Sequence, residues 1–175
     1  GTDGITFNGG NYDSNSSGKK YVMWSWKANG SGSSNTDGDI TTTCSANTTN
    51  GFSIIKWTGN GSASQTLGHG LGVKPSLFIC KRTSGADNWQ VFMDSTKNGT
   101  SDVRMLLSSQ DGNFGNYPVT FNTTTITTPN PSDNAWNNSG DTYVGYVWAE
   151  KTGYSRFSKY SGNGESSFDN CPFIY

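Results

Sequence analysis

The chain has 175 residues, a formal net charge of −1, and only 14% charged against 13% aromatic residues. That length fits one domain or at most two, and six Trp, eight Tyr and nine Phe supply a core that a disordered chain lacks. The 12 Lys and Arg are scattered and form no basic stripe, which argues against nucleic acid as a partner, and no run reads as a membrane-inserting span.

Candidate strands alternate with Gly, Asn and Ser turn clusters from end to end. In chain order they are residues 21–26, 52–57, 77–81, 89–93, 103–107, 117–121, 143–148 and 154–160. None of these stretches carries a sustained 3.6-residue period with helix caps. The pattern predicts an all-β fold, an antiparallel β-sandwich or jelly-roll-like module. The polar stretch before Gly51, "SGSSNTDGDITTTCSANTTN", reads better as a flexible linker than as an edge strand.

Two phrases occur twice. "KWTGNG" at 56–61 returns as "KYSGNG" at 159–164, and "YVMWSWKANG" from Tyr21 parallels "YVGYVWAEKTG" from Tyr143. Strand alternation puts Val22, Trp24 and Trp26 on one face, with Val144, Tyr146 and Trp148 as their counterparts, and both copies are expected to bury this aromatic face. Repetition of this kind marks a modular array. The expected division is the end of a preceding repeat plus linker over 1–50, a complete β-rich repeat over 51–152, and the start of a following repeat over 153–175.

Residues able to carry chemistry are few. His69 is the one histidine, so a multi-histidine metal site is excluded and a Ser-His-Asp triad would rest on it alone. No G-x-S-x-G elbow accompanies it, and a backbone-bonded histidine in a Gly-rich turn is the expectation. The glycines of "GHGLGVKP" lead through Pro75 into an apolar run rather than into a helix, which is not a phosphate loop. Asp37 and Asp39 offer oxygens but lack the spacing and closing glutamate of a calcium loop. With Glu150 and Glu165 the only glutamates, no apposed acidic pair for glycoside cleavage stands out, and no enzyme activity, metal or cofactor is expected. Cys44, Cys80 and Cys171 cannot all pair within one chain, and Cys80 in "LFICK" reads as a buried thiol. Trp57, Trp89 and Trp136 could each stack on a sugar. Trp136 in the polar loop "NPSDNAWNNSGD" is the best placed, with Asn137 and Asp133 as hydroxyl partners in a glycan-binding site.

The stretch "GFSIIKWTGNGSASQTLGHGLGVKPSLFICKRTSGADNWQVFMD", together with "WNNSGDTYVGYVWAEKTGYSRFSKYSGNG", resembles a repeat family of large structural proteins of tailed phages, notably those of marine bacteria. The opening "YVMWSWKANGSGSSNTDGDI" resembles the end of a preceding unit, so the resemblance covers nearly the whole chain. It implies a non-enzymatic virion module, in a tail fibre or surface appendage, assembled in the host cytoplasm and exposed on the particle. Other virion subunits, including copies of itself, would be its partners, with a host surface glycan as a further one. A free-standing carbohydrate-binding module is the alternative. The ending "CPFIY" departs from the family pattern, whose members continue into another strand.

Overall fold

Side chains that alternate along a strand must face opposite sides of a sheet, and here both sides of the central strands are apolar. The computed structural model of the chain describes residues 16–94, 104–107, 117, 119–129 and 134–158. Among them nine strands are β1 (Ser33–Asn35), β2 (Thr42–Asn47), β3 (Phe52–Thr58), β4 (Thr66–Gly68), β5 (Leu77–Arg82), β6 (Gln90–Met93), β7 (Arg104–Leu106), β8 (Thr125–Thr127) and β9 (Thr142–Trp148). Seven of them form one sheet in the order β1-β2-β3-β9-β5-β6-β7, and β4 pairs with β8 in a second, small sheet. Every named pairing is antiparallel. The fold is therefore all-β and sandwich-like, as the turn-punctuated sequence predicts. No helix among the described residues is long and apolar enough to cross a membrane.

The last strand, β9, lies at the centre, held by β3 on one side and β5 on the other. Its inward residues Tyr143 and Val147 join Ile55, Trp57, Phe78, Cys80 and Phe92 of the neighbouring strands in the core. The second layer closes that core with Leu67 and Ile126 of the small sheet, and with Leu71, Val119, Phe121 and Trp136 from the connecting segments. Rings dominate the packing: Trp57 stacks on Tyr143 with centroids 5.2 Å apart, and Phe78 lies 6.1 Å from Phe92. Large flat side chains fill the space between two short-stranded layers with few residues, which suits a chain so rich in Gly and Ser.

Four expectations are corrected. The stretch read as a linker contributes β1 and β2, and β2 pairs with β3 from Thr43↔Lys56 to Asn47↔Phe52. Its threonines alternate, Thr42 and Cys44 inward and Thr43 outward, so a polar composition still yields a strand with one buried face. Residues 21–26 are no strand, although their sequence matches β9. A strand requires neighbours for its N–H and C=O groups, and β9 itself fills the place between β3 and β5. Of the described residues in 117–121, Phe121 alone makes a bridge, to Ile126, and at 154–160 the described part makes one bridge, Lys151↔Ser155.

Candidate functional site

The first copy of the repeated phrase, at 56–61, acts as a clamp, while the second, at 159–164, lies outside the described residues. Leaving β3, the chain turns so that Gly59 N–H donates to the Asp141 carbonyl at 2.8 Å, while Gly140 N–H returns a bond to the Gly59 carbonyl at 2.9 Å. Gly61 N–H donates to the Asn137 carbonyl at 3.0 Å. Between these glycines Asn60 exchanges bonds with fully buried Asn137: its N–H donates to Asn137 Oδ1 and its Oδ1 accepts from Asn137 Nδ2, both at 3.1 Å. Asn137 Nδ2 also donates to the Ser62 carbonyl at 2.8 Å, so every group of this buried amide is used.

Trp136 does not present itself to a sugar. It is 1% exposed, lies edge-on to Phe92 and Tyr117, and carries the Arg104 guanidinium 5.5 Å from its ring centre. Its carbonyl accepts the indole N–H of Trp57 at 2.9 Å. The sequence around it is polar because its neighbours bond the clamp, not because the ring is exposed. Asn137 is consumed by the same clamp, and Asp133 lies outside the described residues. The site predicted at Trp136, Asn137 and Asp133 is thus replaced, at its first two members, by structural roles.

Other candidate groups are likewise engaged. The Asp141 carboxylate accepts from Ser84 Oγ and Asn138 Nδ2, each at 2.6 Å, and from Arg82 at 3.1 Å. These bonds, Ser84 first, hold its carboxyl below the usual carboxylate range. Asp39 is lowered by hydrogen bonds from the Thr66 hydroxyl and N–H, and Asp37 bonds Asn35 instead of converging on it. Glu150 accepts the Phe157 N–H at 3.1 Å. Among the described residues, no three His, Cys, Asp or Glu side chains gather within reach of a metal ion.

His69 is fully buried. Its Nδ1 accepts the Leu71 N–H at 3.2 Å, which leaves Nε2 to donate to the Asn122 carbonyl at 3.2 Å. The following Gly70 sits at φ 68°, and a side chain there would press on the Cys44 sulfur, which donates to the His69 carbonyl. Burial lowers the His69 pKa below its ordinary 6.5 and raises that of the Cys44 thiol. An unfolded chain therefore takes up a proton near pH 6.5 that the fold resists. The stability held by neutral His69 is complete above that pH and falls as the pH drops below it. Urea unfolding should accordingly show a lower midpoint at about pH 5 than at about pH 7.5, and His69→Asn should flatten that difference. An unchanged slope in the variant would remove His69 as its source.

The remaining surface of interest is the outer face of the large sheet, where register defines rows across the strands. Thr58 and Thr142 form one row, Thr43, Lys56, Val144 and Lys81 the next, and Ser45, Ile54, Tyr146, Ile79 and Val91 a third. A fourth holds Asn47, Phe52, Trp148, Leu77 and Met93. The face therefore grades from hydroxyls and ammonium groups to aromatic rings. Its polar end is a trough of about 480 Å³ between Thr43, Lys56, Thr58, Thr83 and Thr142. Its apolar end is a groove of about 350 Å³ whose walls include Ile54, Ile79, Trp89, Tyr146 and Trp148.

The segment 21–26 lies along this groove. Trp26 packs against Phe52 and Trp148, with centroids 6.2 and 5.4 Å away, while Trp24, at the groove wall, stays 75% exposed. Trp89 stands 5.9 Å from Tyr146, and Lys81 Nζ lies 5.2 Å from the Trp89 ring centre. The buried indole N–H of Trp148 has no acceptor among the described residues. Sequence reasoning named Trp89 as a stacking candidate and preferred Trp136. Alternation over residues 143–148 separates the two faces, but the face expected to be buried, Val144, Tyr146 and Trp148, is the outer one, and the core receives Tyr143 and Val147 instead.

No curated protein and no solved structure matches the chain. The full span of residues 1–175 matches the family described as a domain of unknown function, DUF7483, and the chain belongs to that family.

Proposed function

We propose that the chain is a non-enzymatic structural module of a phage virion, in a tail fibre or surface appendage, where it serves assembly and contact with the host surface. The observation that carries this reading is the outer sheet face. A module whose core is already closed by its second layer still keeps Trp24, Trp89 and Tyr146 on the opposite side, and an aromatic surface of that kind suits contact with another molecule. The resemblance of the clamp phrase and of "GHGLGVKP" to phage structural repeats supplies the virion context. Both stretches serve the scaffold, the first by gripping residues 137–141 and the second by seating His69.

A carbohydrate-binding module is the second reading, favoured by the same face and moved from Trp136 to the groove. Antibodies raised against the chain should label purified virions in electron micrographs, on an appendage of the particle. Particles that carry no label, and whose proteins contain no peptide of this chain by mass spectrometry, would contradict the virion reading.

A further inference from the structure

A sheet face that carries an aromatic groove beside a polar trough with a lysine in its wall selects among ligands by chemistry. Sugar rings bring apolar C–H faces for stacking and hydroxyls for hydrogen bonds, and acidic sugars add a carboxylate. The outer face offers a match for each. Tyr146 and Trp89 form a paired ring platform, and Trp24 extends the apolar groove. Lys56 and Lys81 occupy the adjacent row on either side of Val144, about 10 Å apart at their backbones from the spacing of neighbouring strands. Lys56 is exposed and has no acidic partner among the described residues. Thr43 is directly paired with it in the register, and Thr58 follows two residues on, both with outward hydroxyls.

From this arrangement we infer that the outer face of the large sheet is a binding site for an acidic polysaccharide, with uronic-acid-type residues. The ring faces of the sugar lie on Tyr146 and Trp89, its carboxylates meet Lys56 and Lys81, and its hydroxyls reach Thr43 and Thr58. Charge complementarity sets the choice. A neutral glycan would leave the Lys56 ammonium without a counter-charge, and an apolar peptide would set it against hydrocarbon.

The inference rests on the contact role proposed for this face and not on the particle that carries it. The test therefore uses the isolated full chain, and virion labelling is judged separately. In affinity electrophoresis, polygalacturonate in the gel should retard the chain, while neutral dextran at the same concentration should not. The double variant Lys56→Gln/Lys81→Gln should bind about tenfold more weakly, and Trp89→Ala by a similar factor. Both lysines lie on the surface side of the sheet, so the double variant should keep its unfolding temperature and remain informative if Trp89→Ala fails to fold. Four outcomes would overturn the inference: no retardation by polygalacturonate, equal retardation by dextran, unchanged binding by the lysine variant, or binding of single-stranded DNA in place of polygalacturonate.

Discussion

Trp136→Ala is expected to destabilise the protein by about 3–5 kcal/mol, the range for removing a large ring from a packed core. The indole is 1% exposed and joins the two layers, touching Phe92 of the large sheet and Tyr117 of the second layer. Truncation would leave a cavity bounded by those rings and take away the aromatic face beneath Arg104. The fold cannot collapse into that space easily, because the Trp136 backbone is pinned by the Trp57 indole and its neighbour Asn137 by the clamp. Since whole domains are stable by only about 5–15 kcal/mol, the variant should lose a large share of its stability, with a much lower urea midpoint. Trp136→Phe should fall between the two. A stable Trp136→Ala protein with the midpoint of the natural chain would show that the ring is not in the core.

Gly59→Ala is the second large effect, at about 3 kcal/mol. One methyl group is involved, but a Cβ at this position would collide with the backbone carbonyl of Asn138, and with the Asn137 carbonyl carbon at 3.0 Å. Backbone atoms cannot swing aside as the end of a side chain can. Relief requires parting the two segments, which breaks the paired bonds Gly59 to Asp141 and Gly140 to Gly59. Gly140→Ala, at a position with open space around its Cβ, tests the same loop through φ alone and should cost less, about 1 kcal/mol for its left-handed conformation. Equal stability of Gly59→Ala and the natural chain, by urea unfolding, would refute the close approach.

Much of this architecture can be read from residues. The strands at 52–57, 77–81, 89–93, 103–107 and 143–148 announce themselves through apolar residues between turn clusters, and each overlaps an observed strand. The hydroxyl-rich β2 escapes because its buried positions include Thr42 and Cys44, small residues that give little hydrophobic contrast, and β1 has no buried position at all. At β4 and β8 the difficulty is length: three residues each, with one buried hydrophobic side chain apiece, Leu67 and Ile126. The segment 21–26 shows the opposite error, since its pattern is that of β9 but pairing depends on neighbours that a linear pattern does not reveal.

The site was less legible for a related reason. Polar neighbours made Trp136 look exposed, whereas the Asn137 and Asn138 side chains are polar because they satisfy Asn60 and Asp141. Trp89 and Tyr146 stand far apart in sequence, and the antiparallel register that places β9 beside β5, and β5 beside β6, brings them together. Local patterns report which residues are apolar. Which of the two faces of a doubly apolar sheet closes on the second layer is decided by the small sheet and its loops.

The most direct measurement is a cryo-electron microscopy map of the intact virion that resolves side chains. The account predicts this chain in a tail fibre or surface appendage, with Trp89, Tyr146 and Lys56 on a face turned toward the exterior. Its absence from the particle, or an outer sheet face enclosed away from the exterior, would contradict it.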